Sequence, residues 1–278
     1  MLLSLNIKNK YIKLSVLGGG VKIIFVIFMV LLIKHEIKQN QELQYMRSVV
    51  QTIKAKFLIL DPSLNKQPYE NDAYNYLCIG NSITYHMIDS YWWNENGMAA
   101  STLDKDYYHL VLTYLNQKND KVKSTIASYG IWEMNGHDRN GTFVMLNPYL
   151  SDKLNLITIQ LGENAIDIKT IEKDYESLIR YCKQKAPKAK ILLIGDFWEY
   201  KNRDLLKKQA SIKAGAKYVS LEGIKDNPDY YANVGTIVYD KDGGEHEIWH
   251  EGVGKHPSDK GMAEIAKRII SAIDADFK

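Results

Sequence analysis

Five short apolar runs, spaced by stretches of helical periodicity, limit what this chain can fold into more than any other feature. They are Tyr76–Ile79, Val122–Ser128, Leu154–Leu161, Lys190–Gly195 and Ala216–Leu221. Asp167–Lys185 and Arg203–Gly215, which lie between the later runs, carry apolar residues at helical spacing. Ile168, Ile171, Tyr175, Leu178, Ile179 and Cys182 mark the buried face of the first. Short continuous runs suit strands covered on both faces, and strands alternating with helices make a parallel sheet. Ser101 is placed to cap another helix running to about Asn116, with Tyr107, Leu110, Val111, Tyr114 and Leu115 inward. Near the end, Gly235–Tyr239 and Glu245–Trp249 flank a glycine-rich turn and read as a β-hairpin. A final helix follows, capped by Ser258 or Asp259, with Met262, Ile265, Ala266, Ile269 and Ile270 on its apolar face.

The N-terminal part is a different kind of sequence. Leu14 to Ile33 ends in the unbroken apolar run Ile23–Ile33. Twenty helical residues span about 30 Å, the thickness of the hydrocarbon core. Lys22 and Gly18-Gly19-Gly20 weaken the first half of this span. Lys8, Lys10 and Lys13 precede it with no acidic residue before them, so the N-terminus is expected on the cytoplasmic side. Lys34-His35-Glu36-Ile37-Lys38 offers no small-x-small cleavage site, which favours an uncleaved signal-anchor over a removed signal peptide. The expected organisation is therefore a cytoplasmic segment 1–13, a transmembrane anchor 14–33, a helical stalk 34–60 and a domain 61–278 outside the cell. Asp61-Pro62 and Gln67-Pro68 break the stalk before the domain begins.

Charge narrows the partners. A net charge of +3, with Lys and Arg scattered rather than striped, does not fit nucleic-acid binding. Two cysteines make no disulfide framework, and Cys78 and Cys182 both fall in apolar patterns that suit buried thiols.

Two places could carry chemistry. His246-Glu247-Ile248-Trp249-His250 matches the zinc-protease pattern, but that pattern works only on a helix, where i and i+4 share a face. Gly243-Gly244 before it and Gly252-Val253-Gly254 after it leave barely two turns. As a strand it would hold the two imidazoles about 13 Å apart, too far for one zinc. The other place is Gly80-Asn81-Ser82, a turn that ends the first apolar run. Outside the carboxyl end of a strand is where open α/β sheets bind ligands. A serine needs a base within reach to become a nucleophile, and His256, in the loop before the last helix, suits that task.

In this pattern the chain resembles the SGNH, or GDSL-like, hydrolase family over about residues 72–275. Gly80-Asn81-Ser82-Ile83 is similar to the family's first block, with Asn81 where many members carry Asp. Gly162-Glu163-Asn164 resembles its Gly-x-Asn block, and His256-Pro257-Ser258-Asp259 its histidine block, in the family's order. The resemblance implies a three-layer α/β/α sandwich with about five parallel strands in a flavodoxin-like arrangement. It also implies Ser82 as nucleophile, His256 as base, and an oxyanion hole made by the Ser82 N–H, the Asn164 amide and a glycine N–H, here Gly130. Asn164 read by itself is equally suited to capping a helix before Ile168.

The family usually has an acid three residues before the histidine, where this chain has Val253. Orientation of the imidazole then falls to Glu251, to a backbone carbonyl or to nothing. The expected activity is hydrolysis of an ester, an O-acetyl group on a carbohydrate being preferred, with no metal or organic cofactor. Transfer of the acyl group to a sugar hydroxyl is one alternative. The other is a silent module that binds glycan through Trp92, Trp93 and Trp132.

Overall fold

A computed structural model describes residues 4–7, 10–13, 35, 39, 68–200 and 202–275. The chain divides into two compact units, 1–54 and 55–278. In the first, β1 (Ser4–Ile7) and β2 (Lys10–Lys13) form an antiparallel hairpin with Ser4 opposite Lys13, a pairing the sequence reading did not anticipate. The expected anchor 14–33 lies outside the described residues. So does the stalk, apart from His35 and Gln39, both helical. Among the described residues, no helix is long and apolar enough to cross a membrane.

The second unit runs β3 (Tyr74–Gly80), α1 (Tyr107–Lys118), β4 (Val122–Ser128), α2 (Gly130–Met134), β5 (Leu156–Gln160), α3 (Ile171–Lys185), β6 (Lys190–Ile194), α4 (Arg203–Ala214) and β7 (Lys217–Val219). It closes with β8 (Ile237–Tyr239), β9 (Glu245–Glu247), α5 (Glu251–Gly254) and α6 (Asp259–Asp274). The five main strands pair in the order β4-β3-β5-β6-β7, all parallel. This is the flavodoxin-like order, in which the chain steps first to one side of its opening strand and then to the other.

Side-chain alternation sorts the sheet into two cores. Leu77, Ile79, Ile157, Ile159, Ile191 and Leu193 face α3 and α4, where Tyr175, Leu178, Ile179, Cys182 and Ala210 meet them. Tyr76, Cys78, Leu156, Leu192 and Ile194 face the other way, onto α1 and α6, against Tyr107, Val111, Met262, Ile265 and Ile269. Burial on both faces explains why these strands read as continuous apolar runs. Cys78 and Cys182 are free and buried in opposite cores.

Helix α1 starts five residues later than expected. Asp106, fully buried, accepts the His109 N–H at 2.8 Å and the Gly97 N–H at 3.1 Å, so the cap falls there and not at Ser101. Ser101 instead donates its N–H and hydroxyl to the Asp259 carboxylate, at 2.7 and 2.5 Å. Ser258 caps α6 by accepting the Gly261 N–H at 3.3 Å.

A third apolar cluster joins Trp92, Met98, Ala99, Ala232, Val238, Ile248 and Val253 under the β8–β9 hairpin. Trp92 is buried there, and Trp132 is buried in the first core with the Arg139 guanidinium 5.2 Å from its ring centre. Neither can stack on a glycan, which removes two of the three tryptophans that the binding-module alternative required.

At Gly80 the backbone passes under Thr84. A Cβ added there would lie 1.8 Å from Thr84 Oγ1, and that hydroxyl is held to the Tyr107 hydroxyl at 2.5 Å. Gly80→Ala is therefore expected to overpack the turn and cost about 1–3 kcal/mol. The urea midpoint should fall without a change in m-value; an unchanged midpoint would show that Thr84 swings away freely.

Candidate active site

Strand β3 is paired on both sides, and where it ends the chain must turn into the crevice between the loops that follow β4 and β5. Asn81 makes the turn. Its N–H reaches the Gln160 carbonyl at 3.3 Å, and its side-chain oxygen accepts the Ile83 N–H at 3.1 Å. Both amide protons of Asn81 are also engaged, with Glu133 Oε1 at 2.9 Å and Glu163 Oε2 at 2.7 Å. Ser82 follows, half-buried. Among the described residues its N–H has no hydrogen-bond partner.

His256 arrives from the opposite end of the sequence. Its N–H bonds the Val253 carbonyl at 2.9 Å and its carbonyl accepts the Ala232 N–H at 3.0 Å, which fixes the backbone. The residue as a whole is 9% exposed. Nε2 lies 3.0 Å from Ser82 Oγ, and Nδ1 lies 2.8 Å from the Gly252 carbonyl. A carbonyl can only accept, so Nδ1 carries the proton and Nε2 is left as the acceptor for the serine hydroxyl. Trp198 stands edge-on to the imidazole, with ring centres 4.9 Å apart. Burial holds His256 well below its ordinary range, at about 4, although the bond to Gly252 works in the other direction.

The partner of Nδ1 is thus a backbone carbonyl and not the Glu251 carboxylate, which is exposed at the start of α5. Val253 stands where an acid was expected because that position belongs to the third apolar cluster, where it is 1% exposed.

The remaining site residues gather around Glu133, whose importance the sequence reading missed. This carboxylate, 1% exposed, accepts the Asn164 side-chain amide at 2.7 Å as well as the Asn81 amide, and it accepts the Gly162 N–H. Asn164 is not a helix cap, since α3 is preceded by Thr170. Its amide keeps a second proton at an exposed position. Gly130 heads α2, where N–H groups lack intrahelical partners.

Beneath lies a buried charge cluster. Asp196 binds Arg203 and, at 2.5 Å, Lys207, all three within 1% of complete burial. Glu163 accepts from Gln160 and Phe197 as well as Asn81, and its burial together with the Asp196 carboxylate pushes its pKa upward. Gly162 sits at φ +133°, where a Cβ would meet the Tyr175 hydroxyl at 2.3 Å, so only glycine fits this crossing. Glu133 had one signal in the sequence, an acid inside the apolar stretch Ile131-Trp132-Glu133-Met134.

The zinc-like pattern does not form its helix. His246 lies on β9 opposite Val238, bonded to Asp240 at 2.8 Å and stacked on Trp93 with ring centres 4.6 Å apart. His250 caps α5, accepting the Gly252 N–H at 3.1 Å.

No protein-family model matches this chain, and no curated protein does. Several solved structures that match it are esterases and lipases. A two-domain esterase active on acetylated mannans aligns over 73% of this chain at 16% identity and TM-score 0.45, and this chain spans about half of that one, 49%. An extracellular lipase from Streptomyces rimosus aligns over 72% of this chain and 100% of its own at 13% identity and TM-score 0.46. A family two carbohydrate esterase from Clostridium thermocellum aligns over 76% of this chain and 65% of its own, at 15% identity and TM-score 0.48.

Two outcomes follow from the histidine. Because the neutral imidazole is the working form, the acid limb of kcat/KM should fall near pH 4 and not near 6.5. Stability carries the same sign: the unfolded imidazole takes up its proton near 6.5, so the contribution is present above that pH and lost as pH falls through 4. A limb near 6.5 would mean a solvated ring. Val253→Asp should place an unpaired carboxylate in an apolar cluster, costing about 3–5 kcal/mol in denaturant titration without raising kcat. A stable, faster variant would show that an acid at 253 reaches Nδ1.

Proposed function

We propose that this chain is a serine esterase of the SGNH, GDSL-like kind, anchored to a membrane with its second unit outside the cell. The observation that carries the reading is the Ser82 Oγ to His256 Nε2 contact at 3.0 Å, with the opposite ring nitrogen bonded to a carbonyl. Ser82 Oγ attacks the ester carbonyl carbon while Nε2 takes the hydroxyl proton. The carbonyl oxygen becomes an oxyanion facing the Ser82 N–H, the second Asn164 amide proton and the Gly130 N–H. Collapse breaks the ester C–O bond, and the leaving alcohol takes the proton from Nε2. Water then attacks acyl-Ser82 by the same route, releasing the acid and restoring the hydroxyl.

The imidazolium formed in each step is met by a peptide dipole rather than by a carboxylate. Replacing the acid of a triad can cost about 10⁴ in rate. A histidine held near 4 is moreover a weak base. Both facts favour an ester, whose alcohol leaves more readily than an amine. An O-acetyl group on a carbohydrate is the preferred substrate. Supporting that choice, His86, Tyr91, His250 and Trp249 form a continuous series of ring contacts, with centres 5.1–5.9 Å apart. Trp249, 57% exposed, offers a face on which a sugar ring can stack. The anchor rests on the apolar span 14–33 of the sequence.

The full-length chain, treated with a fluorophosphonate and assayed on p-nitrophenyl acetate, tests the reading. Labelling should map to Ser82, and Ser82→Ala should lower kcat/KM by about 10³-fold or more. Folded wild-type protein that neither labels nor hydrolyses, or an S82A variant as fast as wild type, would overturn it.

A further inference from the structure

We propose that Glu133 is the positioning residue of the oxyanion hole, setting the direction of the Asn164 amide; the inference rests on the esterase reading above. A carboxylate removed from water is tolerated where its oxygens are hydrogen-bonded. Here the bonds come from the loops that would supply the donors. Oε2 accepts Asn164 Nδ2 at 2.7 Å, while Oε1 accepts Asn81 Nδ2 at 2.9 Å and the Gly162 N–H. Asn81 immediately precedes Ser82, Gly162 and Asn164 follow β5, and Gly130 begins the helix that carries Glu133. One side chain is thus linked to every segment that contributes a donor.

An asparagine amide has two faces. Rotated by half a turn, Asn164 would present its oxygen to the substrate and repel a developing oxyanion. The same rotation would bring the amide nitrogen away from Glu133 and set two acceptors against each other. The carboxylate therefore admits only the orientation in which nitrogen faces it, and the second N–H remains for the substrate oxygen. Glu133 makes no bond to Ser82 or His256; its effect on the oxyanion runs through Asn164, while its bonds to Asn81 and the Gly162 N–H hold the loops on either side.

The test begins with ¹⁵N-labelled full-length protein, the Asn164 side-chain resonances being identified by their loss in Asn164→Ala. In the wild type one of the two amide protons should be shifted downfield and protected from exchange, and Glu133→Gln should abolish both features. A wild-type Asn164 amide with two ordinary, rapidly exchanging protons overturns the proposal, whether or not any variant folds. On p-nitrophenyl acetate, E133Q should lower kcat by about 10²-fold with KM within about twofold, the size and signature of a lost oxyanion donor. In an Asn164→Ala background E133Q should add little, because both changes remove one interaction. Fully additive losses, or a folded E133Q with kcat within about threefold of wild type, would leave Glu133 a structural residue only. Should folded wild type neither label at Ser82 nor hydrolyse, the esterase reading fails, and the amide resonances decide separately on the hold of Glu133 over Asn164.

Discussion

The strand order around β3 is the constraint on which everything else depends. With β4 on one side and β5 on the other, β3 is hydrogen-bonded along both edges and buried on both faces. Its successor loop can go nowhere but the crevice where the two neighbouring crossovers part. Gly80 gives the room for that turn, and Asn81 closes it with its own side chain. Ser82 is therefore placed by topology first and by local hydrogen bonds second. His256 has no such inheritance. It is delivered by α5 and by the start of α6, which is why its backbone is fastened at both N–H and carbonyl.

Below the crevice the protein stores an unusual amount of charge. Asp196, Arg203 and Lys207 satisfy one another in near-complete burial, and Glu133 and Glu163 draw amide donors from three loops. A buried carboxylate without donors would be expensive. With them it becomes a rigid anchor, since each bond broken strands a polar group away from water. Ionic groups here hold loops in register; the imidazole above them is oriented without any.

Much of this was legible in the sequence, for identifiable reasons. Strands covered on both faces show themselves as apolar runs, and β3 to β7 fall inside or within two residues of the runs that marked them. Ser82, Asn164 and His256 each stand at the mouth of an element, where a turn signal and a reactive residue coincide. What stayed hidden depends on contacts between distant residues. The cap of α1 moved to Asp106 because a buried carboxylate there also binds Gly97. Trp92 and Trp132 looked like candidate binding surfaces, since nothing in a tryptophan's neighbours along the chain reveals which core covers it. Glu133 lies three residues after Gly130, in a stretch that shows only one acid among apolar neighbours. Its partners lie 52 and 31 positions away.

The bond from His256 Nδ1 to the Gly252 carbonyl has a consequence for how such a site can change over generations. An orienting aspartate can be erased by a single codon change, and catalysis with it. A peptide oxygen cannot, because every residue type at position 252 supplies one. What selection must guard is instead the shape of the four-residue helix Glu251–Gly254 and the cap that His250 places on it. The tautomer of the base is encoded in a bend of the main chain, so drift at the surface of this loop leaves it untouched until the bend itself is lost.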